Sequence, residues 1–413
     1  MWIVEAITKR VENARAAICR RVRSVPSSIE RHIYQTFVTV DDARIRSVAR
    51  GQTVVQPAKP VTVRYDGEFA EEVPTAISAA EGTYTPSNRF LCEFSDVDIV
   101  GSVPILRTDG ANVVPEAVGT LEVVPEAVGA EAWRRGTYRT LSPSDVRALL
   151  GQVEPADELE TAFLLADRRG QIFAHWFDET LPKLRAYEAY CRTVDRDPTL
   201  IVPSDLADWQ RDSLRLMGYP SDSWIERPEA PLHVDSLIVP SHKYRSGHGA
   251  HMPSPANLRW VGDRITSNIP DRQTDAPNRI YVSREDARRR RVVNKSELLD
   301  TIAEFGFQSV ELSALSFQEQ VRLFAGAEKV IGPHGAGLIH LLWTQDPVSV
   351  VELLPETGPV AHYFLLAAEL GISYDCLACE TVADRSIAPR HRDIRVDTTA
   401  VETLVTDDDA GGR

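Results

Sequence analysis

"KVIGPHGAGLIHLLW", Lys329 to Trp343, is the stretch on which the fold turns. A short apolar run ends in Gly332-Pro333-His334-Gly335-Ala336-Gly337, and an apolar segment with helical spacing follows. A run of this kind, stopped by glycine and proline, reads as a buried strand that hands over to a helix. Glycines at the hand-over let backbone amides approach a ligand closely. The first helical turn behind them presents unpaired N–H groups and the positive end of the helix dipole. Two readings follow. In one, the turn holds a pyrophosphate and His334 adds a hydrogen bond to a phosphate or a sugar. In the other, the glycines only allow close packing and His334 caps the turn. The pattern is neither GxGxxG nor GxxxxGK[ST], so the dinucleotide and P-loop fingerprints do not apply.

The flanks continue the alternation. "RIYVS" (Arg279–Ser283), "QSVEL" (Gln308–Leu312), "VSVVELL" (Val348–Leu354) and "ISYDCLA" (Ile372–Ala378) read as strands around the central one. Helices lie between them. "NKSELLDTIAEFG" has Asn294 and Glu297 spaced as a capping box and Gly306 as a stop, and Ser316 and Glu319 form a second such box. "VAHYFLLAAELG" (Val360–Gly371) follows the fourth strand-like run in chain order. Five strands alternating with four helices over residues 269–385 predict a doubly wound Rossmann-type lobe, in which ligands bind beyond the carboxyl ends of the strands. Arg284 stands just past one such end, ahead of the basic run Arg288 to Arg291, and Glu352 stands near another. Guanidinium forks suit a phosphate and a carboxylate suits ribose hydroxyls. A solvated charge run and a surface carboxylate are the plain alternatives.

Residues 142–268 alternate in the same way. "GQIFAHWFDETLPKLRAYEAYCRTV" (Gly170–Val194) is a helix with Phe173, Phe177, Leu181 and Leu184 on one side, and "TLIVP" and "VDSLIVPS" are strands. These predict a second parallel sheet. Residues 31–141 read as short strands, with "VVPEAVG" repeated from Val113 and Val123. Residues 1–30 carry an apolar stripe (Val4, Val11, Ile18, Val25) against a cationic face. Such a helix either lies on an anionic membrane surface, through residues 1–25, or packs on its own domain or a partner helix. Residues 386–413 close with a strand, a helix and an acidic tail. A loop concentrates His242, His248 and His251, in a spacing that fits no common zinc pattern.

The chain has 413 residues, 43% hydrophobic and 26% charged, which suits two globular lobes plus extensions. A net charge of -14 argues against nucleic acid as a partner. Five cysteines form no disulfide framework, and the "CLAC" pair Cys376 and Cys379 reads as buried thiols. No apolar run is long enough to cross a membrane and no signal peptide is evident, so the expected compartment is the cytoplasm.

Taken in order, "HWFDETLPKL", "YVSREDARRRRVVNKSELL", "VIGPHGAGLIHLLW" and "VVELLP" resemble glycosyltransferase family 61 over roughly Gly170 to Pro355. That family includes capsular polysaccharide enzymes, plant xylan arabinosyl- and xylosyltransferases and animal O-linked N-acetylglucosaminyltransferases. The resemblance implies an α/β fold of the GT-B type: two Rossmann-like lobes, here 142–268 on the acceptor side and 269–385 on the nucleotide-sugar side. It implies inverting transfer from a nucleotide sugar, most simply a UDP-sugar, to a glycan acceptor, with no metal and no other cofactor. Carried over by position, Arg284, Arg291, His334, Gly335, Ala336 and Gly337 hold the donor diphosphate and Glu352 sits near the nucleoside. The pattern HWxxExLP falls on His175, Glu179 and Pro182, which makes Glu179 the first candidate for the catalytic base, with Asp178 and His175 next. Two positions depart from the family: His340 where Asn is usual, and Lys295 where an acidic residue is usual. A peripheral location on the inner face of the cell membrane goes with these expectations. The rivals are a catalytically inactive sugar-nucleotide-binding or scaffold protein, a polysaccharide pyruvyltransferase, and a metal-dependent GT-A enzyme using "DVD" at Asp96 or "DRD" at Asp195.

Overall fold

The computed structural model describes residues 49–411, apart from 57–60, 66, 68–72, 85–88, 102–103, 109–110, 114–142, 168, 195, 242–254, 270–275, 346 and 383–385. The N-terminal helix, most of the VVPEAVG repeat, Asp195 and the loop with His242, His248 and His251 lie outside the described residues.

The chain is α/β with two main sheets. In chain order the first ten strands are β1 (Ala49–Gln56), β2 (Val61–Val63), β3 (Gly82–Tyr84), β4 (Arg89–Val100), β5 (Ile105–Thr108), β6 (Ala111–Val113), β7 (Asp157–Leu164), β8 (Thr199–Val202), β9 (Trp224–Glu226) and β10 (Leu232–Pro240). β2 and β3 form a hairpin of their own. The other eight form a mixed sheet in the order β6-β5-β4-β10-β7-β8-β9, with β1 on β4. The half β10-β7-β8-β9 is parallel, as the alternation predicts. β10 also pairs antiparallel with β4 from Leu232↔Ile99 to Pro240↔Leu91. The segments 31–141 and 142–268 therefore share one sheet. β4 reads as this pairing requires, with Phe90, Cys92, Phe94, Val97 and Ile99 buried.

The second sheet has β11 (Arg279–Val282), β12 (Gln308–Val310), β13 (Lys329–Pro333), β14 (Ser349–Pro355), β15 (Ser373–Thr381) and β16 (Ile394–Arg395), in the order β12-β11-β13-β14-β15-β16. The first five are parallel and β16 is antiparallel. The chain leaves β11 for β12 on one side and returns to β13 on the other. The carboxyl ends of β11 and β13 thus form the switch point, where such sheets open a crevice. Arg284 and His334 stand at those two ends.

The local signals act as expected at Ser316, whose capping box with Glu319 is closed in both directions ahead of helix Phe317–Ala325. Gly306 takes a φ of +79°, which stops its helix at low cost. Asn294 differs. Its side chain makes no cap bond to helix Lys295–Ala303; its amide instead donates to Val396 O at 2.8 Å and its oxygen accepts from Val396 N at 2.9 Å. It ties the closing segment to the sheet. The segment Ala336–Trp343 winds as a 3-10 helix with Leu338 to Trp343 all buried. An element enclosed on all sides takes its winding from packing, not from an amphipathic period.

One apolar cluster runs between the sheets. The helical segment after β7 enters it with Phe177, stacked on Phe317 (5.2 Å) and edge-on to Trp343 (5.2 Å). Phe173 stacks on His340 at 5.1 Å. This seam holds the turn that carries Asp178 and Glu179 against the second sheet.

Candidate functional site

At the switch point the guanidinium of Arg284 lies against Gly335, where a Cβ would collide with its Nη1. Gly335 is thus a glycine so that Arg284 can reach the turn. Gly337 has another reason: a Cβ there would press on Val282 Cγ1 at 2.9 Å and Leu312 at 3.1 Å. Among the described residues Arg284 donates to the carbonyl of Arg289, at 3.3 and 3.4 Å, and burial pulls its pKa down. A partly buried guanidinium bonded to a neutral carbonyl keeps its charge for an anion.

The basic run divides in two. Arg290 has a φ of +58°, and burial with the neighbouring Arg284 charge pulls its pKa down. It faces Tyr363 and Glu352 electrostatically. Arg291 turns outward and is half exposed. Its Nη2 and Nε donate to Asp393 Oδ2 at 2.7 and 3.1 Å, and its amide donates to Asp393 Oδ1. The structure therefore places Arg290, and not Arg291, beside Arg284.

Glu352 is completely buried in β14 and sealed from any ribose. Its Oε2 accepts from Tyr374 OH at 2.6 Å, and its Oε1 lies 2.5 Å from His334 Nδ1. Burial lowers the pKa of His334 despite this carboxylate, so the ring is neutral. Nδ1–H then donates to Glu352, which leaves Nε2 as an acceptor. Such a nitrogen suits a sugar or ribose hydroxyl better than a phosphate oxygen.

The second group rises from the carboxyl end of β7. Asp167 accepts from Arg169 N (2.8 Å), Thr180 Oγ1 (2.9 Å) and Lys183 Nζ (2.8 Å), all around one buried carboxylate. These bonds pin the turn Trp176–Thr180, which widens to π geometry where Asp178 and Glu179 sit. Such turns recur at functional sites. Glu179 accepts from Arg169 Nη2 at 2.5 Å and lies 2.8 Å from His175 Nδ1. Burial opposes charge on His175, but bonds to Asp178 and Glu179 raise its pKa overall. The Glu179 side chain is 0% exposed.

Asp178 joins the two groups. Its Oδ2 lies 3.1 Å from His362 Nε2, at the start of helix His362–Leu370. The next residue, Tyr363, places its ring 5.3 Å from the His334 ring. The expected acceptor-side acids and the expected donor turn thus meet through His362 and Tyr363. Arg169, His362 and Tyr363 join this candidate site without having been singled out from the sequence, and Arg290 joins it from within the basic run Arg288 to Arg291. Each follows a strand's carboxyl end, which is the signal that could have found them.

Among the described residues two trios have ligand atoms within 4.8 Å of one another: His175, Asp178 and Glu179 in the site, and Asp96, His233 and Asp235 on the first sheet. In the first trio the Arg169 guanidinium already supplies the positive charge on Glu179. Beside the second, Asp98 of "DVD" is held by Arg107 and lies 2.7 Å from His233 Nδ1, which ties that triplet into the sheet. His340 is buried between the rings of Phe173 and Phe324 (4.9 Å) and beside Gly337 O and Gln320 Oε1. Burial lowers its pKa to about 4. It is a wedge between the sheets, with no opening to the site. Cys376 and Cys379 are buried free thiols, as expected, both pushed up to about 12 by burial.

Residues 173–351 match the glycosyltransferase 61 family model. The chain is also similar to EGF domain-specific O-linked N-acetylglucosamine transferases. It is 34% identical over 101 residues to that of Bos taurus, covering 23% of this chain and 19% of the relative. It is 34% identical over 84 residues to that of Pan troglodytes, covering 19% and 16%. The chain thus spans less than a fifth of the length of the curated relatives it matches. The matched region contains β11, β13, the HGAG turn and the Asp178–Glu179 turn, so it is this part of the chain that is similar to glycosyltransferase family 61.

Proposed function

We propose that this protein is an inverting glycosyltransferase of GT-B architecture. It moves a sugar from a nucleotide sugar, most simply a UDP-sugar, to a glycan acceptor in surface polysaccharide or glycoconjugate synthesis. The observation that carries this reading is the 3.1 Å contact between Asp178 and His362, which joins the anion-binding turn and the buried acids in one site. Arg284, Arg290 and the amides that open the Ala336–Trp343 helix would hold the diphosphate. His334 would accept a hydroxyl of the sugar or ribose.

In the transfer, the acceptor oxygen attacks the anomeric carbon as the bond from that carbon to the diphosphate breaks. The acceptor proton passes to a base, and the negative charge of the leaving diphosphate meets the guanidinium pair. Glu179 is sealed and clamped, so it fits poorly as that base. His362 has an open side chain (21% exposed) and a buried carboxylate on one ring nitrogen. With Nε2–H donated to Asp178, Nδ1 remains to accept the proton, and Asp178 stabilises the imidazolium. We assign the base to His362 and charge balance to Arg169, His175 and Glu179. No metal enters this scheme.

No helix among the described residues is long and apolar enough to cross a membrane. Peripheral contact through residues 1–25 at the inner face of a cell membrane remains part of the proposal, favoured by the basic stripe of that segment.

The test is thermal stability of the purified protein with UDP, GDP, CMP and phosphoenolpyruvate, followed by hydrolysis of the matching sugar donor. At a hundredfold excess over Kd, one nucleoside diphosphate should add about 2.7 kcal/mol, and Arg284→Ala should abolish the gain. Stabilisation by phosphoenolpyruvate alone would make the protein a pyruvyltransferase. Nucleotide binding without turnover would make it a scaffold.

A further inference from the structure

Beside the turn that carries Asp178 and Glu179, the first sheet opens a cavity. It has a volume of about 190 Å³ and is lined by Phe90, Lys183, Arg185, Arg192, Ser241 and Asn257 among others. It lies at the carboxyl end of β10, whose last residue, Pro240, also lines it, along the helix Leu184–Val194. The carboxyl edge of a parallel sheet is where ligands bind.

Its charge is unusual for this chain. The whole protein carries a net charge of -14, yet among the described residues three cations and no carboxylate line this cavity. Arg185 Nη1 donates to Ala256 O at 2.8 Å and to Asn257 Oδ1 at 2.9 Å, both uncharged acceptors. Arg192 has a distant contact of 3.8 Å with Glu188, a carboxylate that Arg264 already holds. Lys183 is paired with Asp167. The cavity therefore presents net positive charge, with Phe90 as an apolar wall and Ser241 and Asn257 as neutral polar groups. Its volume lies below the ~300–1,000 Å³ of sites for drug-sized ligands. It suits one ring bearing one charge.

The cavity is coupled to the proposed chemistry. Lys183 shares Asp167 with Arg169, and Arg169 holds Glu179. We infer that this cavity binds an anionic sugar unit of the acceptor, carboxylated or phosphorylated, and that Arg185 is its principal charge partner. The inference rests on the transferase reading for the word acceptor, and on the cavity alone for the anion.

The full chain is titrated with glucuronate, glucose 1-phosphate, glucose and inorganic phosphate, with thermal stability and calorimetry as readouts. Wild type should bind glucuronate or glucose 1-phosphate, and the stronger of the two names the carboxylate or the phosphate source. Arg185→Gln, which keeps donors for Ala256 and Asn257, should weaken that binding by at least about tenfold, the scale of a charge-assisted bond. Arg192→Gln should weaken it less, and both variants should keep the wild-type response to UDP. Equal binding of glucose would overturn the inference, and so would anion binding that survives Arg185→Gln. Inorganic phosphate matching glucose 1-phosphate would overturn the sugar assignment. If UDP binds and no anion does, the cavity inference falls alone. If the anion binds through Arg185 and UDP does not, the transferase reading falls and the cavity stands.

Discussion

Two helical turns carry the site, and they are built in opposite ways. The turn at Ala336–Trp343 offers backbone, kept open by Gly335 and packed down by Gly337, with cations supplied from β11. The turn at Trp176–Thr180 offers side chains, and its carboxylates are buried only because Arg169, His175, His362 and the Lys183–Asp167 pair compensate them. A backbone site is written into consecutive residues. A side-chain site is written across the chain, because each buried charge needs a partner from elsewhere.

The largest effect should fall on the side-chain turn. Asp178→Asn keeps the shape but removes the charge that fixes the His362 tautomer. Turnover should drop by roughly 10³–10⁴ with UDP affinity nearly unchanged, as for other histidine bases that lose their orienting carboxylate. His362→Asn should match it. The groups facing His362 are Asp178 and, across Tyr363, His334, which is neutral. A turnover loss of that size in Glu179→Gln, with His362→Asn near wild type, would return the base to Glu179.

Lys183→Met tests how far that turn depends on compensation. It strands the buried Asp167 carboxylate and should cost about 3–5 kcal/mol in denaturant unfolding. A loss below about 1 kcal/mol would show that Thr180 and the Arg169 amide suffice for Asp167.

His340 probes the seam between the two turns. Folding lowers its pKa from 6.5 to about 4, so the unfolded chain binds the proton more tightly. Its contribution is complete above pH 6.5 and is lost as pH falls from 6.5 to 4, on the order of 3 kcal/mol in all. His340→Asn, which removes the titrating ring, should flatten stability against pH over that window. A slope that persists in the variant would assign the pH dependence to another group.

This contrast also explains what could be read from the residues. The strands of the second sheet, the Ser316 capping box, the Gly306 stop and the GPHGAG turn are local patterns, and they were legible. Asn294 was not. Cap spacing with Glu297 is local, but the Val396 backbone that claims its amide comes from the far end of the lobe. β4 reads as an alternating strand, yet nothing near it names β10 as its partner. His362 sat unremarked in an apolar helix because its meaning comes from Asp178, on the other sheet's side of the seam.

The smallest effect separates neighbours. Arg290 and Arg291 are adjacent and identical, and motif position alone favours Arg291 for the diphosphate. The positive φ of Arg290 turns one side chain inward to Arg284, Tyr363 and Glu352, and leaves the other outside on Asp393. Arg290→Gln should weaken UDP binding by about tenfold or more, since it removes one of two charges on a desolvated anion. Arg291→Gln should leave UDP binding within about twofold, because an exposed ion pair is screened by solvent. Its visible consequence should be looser attachment of the closing segment, read as faster hydrogen exchange at the Val293 and Ile394 amides, which bond across that seam. If instead Arg291→Gln loses UDP and Arg290→Gln does not, the ligand draws Arg291 off Asp393, and the phosphate site is assembled on binding, not held ready.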